Sequence, residues 1–165
     1  MLGNSLADGM KLYSGLAMDY YGTTGATVFN NNAEDLMEHS YGKVYLEFGI
    51  NELSYNTAPI MEAYGEIVDR IRSAMPEAEI YVMSLTPVTQ KRNAGGTFTQ
   101  EAIRNFNAAL RELCTRKRCW YVDVFTALLD GDGWLPEEYA GWDGSPHLSS
   151  PGYRAWADVL RKYYV

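Results

Sequence analysis

Apolar residues recur along this chain in two rhythms that alternate. Three short runs are rich in branched and aromatic residues: Lys43-Val-Tyr-Leu-Glu-Phe48, Glu79-Ile-Tyr-Val-Met-Ser-Leu85 and Trp120-Tyr-Val-Asp-Val-Phe125. Each reads as a strand. Between the first two, Ile60, Tyr64, Ile67, Ile71 and Met75 return at helical spacing, and Pro76 stops the pattern. Between the second and third, Ile103, Phe106, Leu110 and Leu113 do the same, with Thr97 and Gln100 as the expected capping box. Ser150-Pro151 should open a closing helix that buries Tyr153, Trp156 and Leu160. Strand–helix–strand alternation at this spacing implies an α/β fold. Its crossovers are right-handed, and its parallel sheet is covered on both faces. No repeat, low-complexity tract or linker interrupts residues 1–165, which read as a single domain.

Composition narrows the function classes. A chain of 165 residues should bury roughly 70% of its unfolded surface. A net charge of −7 argues against nucleic acid, because phosphate binding needs clustered Lys and Arg. The one basic run, Arg116-Lys117-Arg118, falls between a helix and a strand and reads as a solvated connection. No apolar stretch approaches the ~20 residues of a membrane span, and the opening residues lack a secretory-signal pattern. The compartment is not legible, and nothing excludes a homo-oligomer. Cys114 and Cys119 are too few for a disulfide framework and read as reduced structural residues. With His39 and His147 as the only histidines and no His/Cys cluster, neither a metal nor another cofactor is implied.

The chemistry lies in three short strings: Gly3-Asn4-Ser5-Leu6, Gly49-Ile50-Asn51-Glu52 and Asp143-Gly144-Ser145-Pro146-His147. Ser supplies a nucleophile, His a general base, Asp an orienter for the His, and Asn a donor for a developing oxyanion. Taken singly, each string is an ordinary turn signal. Their placement is what counts. Asn51 lies just past one strand, Asp143 and His147 follow the last strand, and Ser5 would follow a first strand. All four therefore point to the carboxyl edge of one sheet, where such folds bind ligands. His39, in a short acidic helical stretch, reads as a surface residue.

With those residues in place, the chain resembles the SGNH, or GDSL-type, hydrolases over nearly its whole length. The resemblance implies a three-layer, flavodoxin-like α/β/α fold and a serine esterase or acylhydrolase working through an acyl-enzyme. It assigns Ser5, His147 and Asp143 to the triad. Backbone N–H groups of Ser5 and Gly25 and the Asn51 amide become the oxyanion donors. Asn30-Asn31-Asn32 is the alternative to Gly25 after the second strand. The chain lacks the Gly-x-Ser-x-Gly elbow of the larger α/β-hydrolases.

Three departures stand out. Asn4 replaces the family's Asp, and should be tolerated because it keeps the shape and one acceptor. The last pair is spaced Asp-x-x-x-His rather than Asp-x-x-His, which leaves open whether Asp143, a backbone carbonyl in a dyad, or another loop acid such as Asp132 orients His147. Met1-Leu2 stands directly before Gly3, so the central first strand looks truncated. Either the natural protein extends upstream or another segment fills the gap, and the first is the expectation.

Trp134, Tyr139 and Trp142 in the last loop suit stacking on sugar rings, the alternative being that they simply cover the core. A short acyl ester, such as acetyl, of a carbohydrate or other polar alcohol is therefore the expected substrate, with Trp134 and Trp142 as binding residues. The alternatives are a lysophospholipase-like lipid esterase and a non-catalytic binding module retaining the fold. A flavin or nucleotide binder is weaker, since no phosphate loop follows a strand-like run.

Overall fold

A computed structural model describes residues 1–96, 98–142 and 146–164, the last by its backbone alone. Its five strands are all parallel, in the order β2-β1-β3-β4-β5. They are β1 (Leu2–Gly3), β2 (Tyr21–Gly22), β3 (Lys43–Glu47), β4 (Glu79–Met83) and β5 (Trp120–Val122). Between them run α1 (Ser5–Tyr13), α2 (Ala33–Met37), α3 (Thr57–Ala74), α4 (Gln90–Asn93) and α5 (Gln100–Lys117). After β5 come the short α6 (Val124–Ala127), a 3₁₀ turn at Glu137–Tyr139 and α7 (Ser150–Tyr164).

The order reverses direction between β1 and β3. With right-handed crossovers that reversal sends the two helix pairs to opposite faces. α1 packs on α7, and α3 packs on α5. Ile60, Tyr64, Ile67, Ile71 and Met75 of the first helical pattern are buried, as are Ile103, Phe106, Leu110 and Leu113 of the second. In α7, Tyr153, Trp156 and Leu160 are buried as well, with Trp156 stacked on Tyr153.

The central strand is as short as expected, two residues, yet it is paired on both sides, and two other expectations need correction. Leu2 and Gly3 pair with Tyr21 and Gly22 on one side and with Leu46 and Glu47 on the other, and Met1 O accepts from Tyr21 N–H at 2.8 Å. Two residues suffice because the neighbouring ladders are equally short there. The cap of α5 is Thr99 rather than Thr97, which lies outside the described residues. Thr99 Oγ1 accepts from Ala102 N–H at 3.1 Å. Gln100 does not close a box on the helix; it accepts from Val88 N–H and donates to Gly133 O, tying two site loops together. Finally, the third strand stops at Val122, because Asp123 Oδ1 caps Thr126 N–H at 3.0 Å and turns the chain into α6.

Candidate active site

The carboxyl ends of β1 and β3 open the crevice at the point where strand order reverses, the place where doubly wound sheets bind ligands. Ser5 is the first residue of α1, immediately after β1. Asn4 makes this turn: buried and extended, it accepts Leu6 N–H on Oδ1 at 2.8 Å, which satisfies one of the helix's free donors. Its Nδ2 faces Glu47 Oε1 at 3.4 Å. The tolerance expected for Asn4 thus has a physical basis, and the amide also donates where an Asp at this position offers no N–H.

Ser5 Oγ lies 2.8 Å from His147 Nε2. The first strand–helix junction and the last loop of the chain therefore meet within hydrogen-bond reach. His147 is held by a narrow antiparallel ladder. Gly141 N–H donates to His147 O and Ser149 N–H to Tyr139 O, both at 2.8 Å, and Leu148 beside it is buried. Asp143 lies outside the described residues. Asp132 lines a separate depression with Trp134 and Arg104, away from the cavity at His147.

The loops after β2 and β3 are bound to each other. Asn51 Nδ2 donates to Ala26 O at 2.9 Å, and Val28 N–H donates to Glu52 Oε1 at 2.7 Å. Gly25 adopts φ +77°, a conformation that favours glycine. The amides of Ser5 and Gly25 have no intramolecular acceptor among the described residues. Asn31 and Asn32, on the alternative string, are spent on Thr27, Val28 and Thr23 within their own loop. Gly49, with φ +123°, has no room for a Cβ, which would sit 2.2 Å from the Phe106 ring.

Two carboxylates went unread in the sequence. Glu47 is buried at the end of β3, and Glu52 is buried in the following turn. Burial pushes the Glu47 carboxyl up to about 8, against the hydrogen bonds from Asn4 that favour its charge; nearby Glu52 adds to the rise. Burial raises Glu52 too, against the N–H donors of Val28 and its own turn. One oxygen of each has no hydrogen-bond partner among the described residues. A charged residue inside an apolar strand run was the available signal for Glu47.

A cavity of about 390 Å³ opens beside His147 and is lined by Trp142, Lys91, Arg92 and Glu137 among others. Trp142 is 99% exposed there, whereas Trp134 is half-buried in its separate depression. His39 is exposed, against Tyr21 and Asp35, as its acidic surroundings suggested. Cys114 is buried and Cys119 half-buried, both as free thiols. Among the described residues, no group of three His, Cys, Asp or Glu side chains is placed to hold a metal. Nor is any helix among them long and apolar enough to cross a membrane.

A serine hydroxyl on an imidazole at the carboxyl edge of a parallel sheet defines a serine-hydrolase type of centre. The GDSL-like lipase/acylhydrolase family matches residues 1–155, and the chain belongs to that family. It is an ester-hydrolysing serine hydrolase, which decides against the binding module. No curated protein sequence matches significantly. Among solved structures, the chain is similar to a candidate platelet activating factor from Streptococcus pneumonia. That match has 25% identity and a TM-score of 0.80, covering 99% of this chain and 81% of the other. It shares its fold with a peptidoglycan O-acetylesterase, at 20% identity and a TM-score of 0.70, over 87% of this chain and 44% of the other. It also shares it with an acetyl xylan esterase, at 14% identity and a TM-score of 0.71, over 87% and 79%.

Proposed function

We propose that the chain hydrolyses short acyl esters, acetyl foremost, of a carbohydrate or another polar alcohol. The observation that carries the reading is the 2.8 Å approach of Ser5 Oγ to His147 Nε2. His147 takes the Ser5 proton on Nε2 as Oγ bonds to the ester carbonyl carbon. The ester C–O bond then breaks, and the alcohol leaves with that proton. Water adds to the acyl-Ser5 carbonyl, again giving its proton to His147, and the carboxylic acid departs as Ser5 recovers its hydrogen. The unengaged amides of Ser5 and Gly25 and the second N–H of Asn51 serve the developing oxyanion. Asp143 is assigned to hold the imidazole in the tautomer that leaves Nε2 open to accept.

Trp142, exposed at the cavity mouth, is retained as a stacking face for the alcohol. Trp134 is not, since it lines the other depression. The sharing of a fold with two acetyl esterases agrees with a small acyl group, and the substrate assignment rests on the open, mixed-polarity cavity.

The test is labelling with a fluorophosphonate, which reacts readily only with an activated serine. We expect the label on the Ser5 peptide, and neither label nor p-nitrophenyl acetate turnover in Ser5→Ala. Undiminished turnover in that variant would remove Ser5 from the mechanism.

A further inference from the structure

The chain is acidic overall, with 21 Asp and Glu against 14 Lys and Arg, yet two adjacent cations, Lys91 and Arg92, line the cavity that ends at His147. Neither forms an ion pair among the described residues. Lys91 is exposed. Arg92 is half-buried, its guanidinium 4.9 Å over the Phe98 ring, and its buried Nε has no hydrogen-bond partner among the described residues. That Nε is closed to solvent, so the charge the cavity meets is that of the two side chains lining it. They have no paired carboxylate among the described residues and leave room for an anionic acceptor. Glu137 is the one carboxylate that lines the cavity among the described residues, and it is exposed.

Which half of an ester enters this cavity follows from the reaction proposed above, on which the inference rests. His147 returns its proton to the departing alkoxide, so the alcohol must lie on the imidazole side of the scissile carbonyl. The acyl oxygen points the other way, toward Gly25 and Asn51, and neither of these lines the cavity. We infer that the alcohol half of the substrate is anionic. It would carry a carboxylate or phosphate that meets Lys91 and Arg92, with the body of the alcohol laid against Trp142. Arg supplies a fork of N–H donors for such oxygens and Lys a mobile point charge. Glu137 repels the same group and limits the gain.

The test compares three acetyl esters of one phenol scaffold: 4-acetoxybenzoate, 4-acetoxyphenyl phosphate and neutral 4-acetoxybenzamide. Each kcat/KM is normalised to the ester's own hydroxide-catalysed rate. The wild-type enzyme should favour the anions by about tenfold, the size expected of two partly screened charges. Preference for only one anion would identify which oxyanion the cavity is built for. Lys91→Gln/Arg92→Gln should bring the ratio close to one. Lys91→Gln, at an exposed position that does not threaten folding, should lower it by about threefold. Glu137→Gln should raise it, and Arg116→Gln/Lys162→Gln, which removes two charges elsewhere, should leave it unaltered. Equal wild-type rates on all three esters, or a preference surviving in the double variant, would overturn the inference while leaving the esterase intact. If no ester turns over and Ser5 resists the fluorophosphonate, the esterase reading itself has failed. The cavity is then read by calorimetric binding of 4-hydroxybenzoate against 4-hydroxybenzamide. Tighter binding of the anion that is lost in the double variant supports the cation site, and equal binding overturns it.

Discussion

Around Ser5 the polar groups are engaged and enclosed: Asn4 is 0% exposed, its oxygen caps α1 and its amide faces buried Glu47. Around His147 the structure opens outward, with Trp142 99% exposed beside a cavity of about 390 Å³. A hydrogen bond at 2.8 Å joins the two regions. Their contrast separates two tasks. The Ser5 hydroxyl is positioned by the turn after β1 and the buried residues around it. His147 arrives on a loop whose outer wall borders that cavity, and under the proposed function this wall is where the alcohol would be selected.

The contrast can be broken most severely at the junction itself. His147→Ala should lower kcat by about 10⁴-fold or more while thermal stability stays close to wild type, as steady-state kinetics and calorimetry would show. Asn51→Ala should cost about 10²–10³ in kcat with a smaller change in KM. It also releases the Ala26 carbonyl, so a loss confined to KM would argue against the oxyanion role.

Glu47→Gln probes the enclosed side. The carboxyl ordinarily titrates near 4.5 and is pushed up to about 8 in the folded chain. Between those values the folded chain keeps a proton that the unfolded chain has lost, so the group's contribution to stability falls as pH rises through that window and levels off above it. The slope is about 1.4 kcal/mol per pH unit at its steepest. Glu47→Gln should therefore outlast wild type in denaturant at pH 8 and match it near pH 4.5. Parallel midpoints at both pH values would show that Glu47 is already charged in the fold. Trp142→Ala, on the open side, should leave stability within about 0.5 kcal/mol and raise KM by about threefold for ring-bearing alcohols.

Much of this arrangement was legible in the order of residues. Helices α3, α5 and α7 announced themselves because their apolar positions repeat over several turns, and the sheet followed from their alternation with strand runs. Ser5 and His147 were legible as a pair because chemistry restricts which residue types can act together. What remained hidden depends on distant partners. A two-residue strand such as Leu2–Gly3 has no period to detect, and it counts as a strand only because β2 and β3 flank it. Thr99 caps α5, and the Gln100 side chain goes to Val88 and Gly133, partners that no local pattern reveals. Trp134 and Trp142 look equivalent along the chain. They part because the bonds between Asp130 and Trp134 close a tight turn that directs Trp134 into its own depression.

The bond from Asn51 Nδ2 to Ala26 O carries one last consequence. A carboxamide has two hydrogens on its nitrogen, and here one is committed to the neighbouring loop. That commitment fixes which end of the group is nitrogen and holds it against swivelling, leaving its second hydrogen for another acceptor. In the oxyanion role proposed for Asn51, a donor held in this way would have little rearrangement to make as charge builds on a carbonyl.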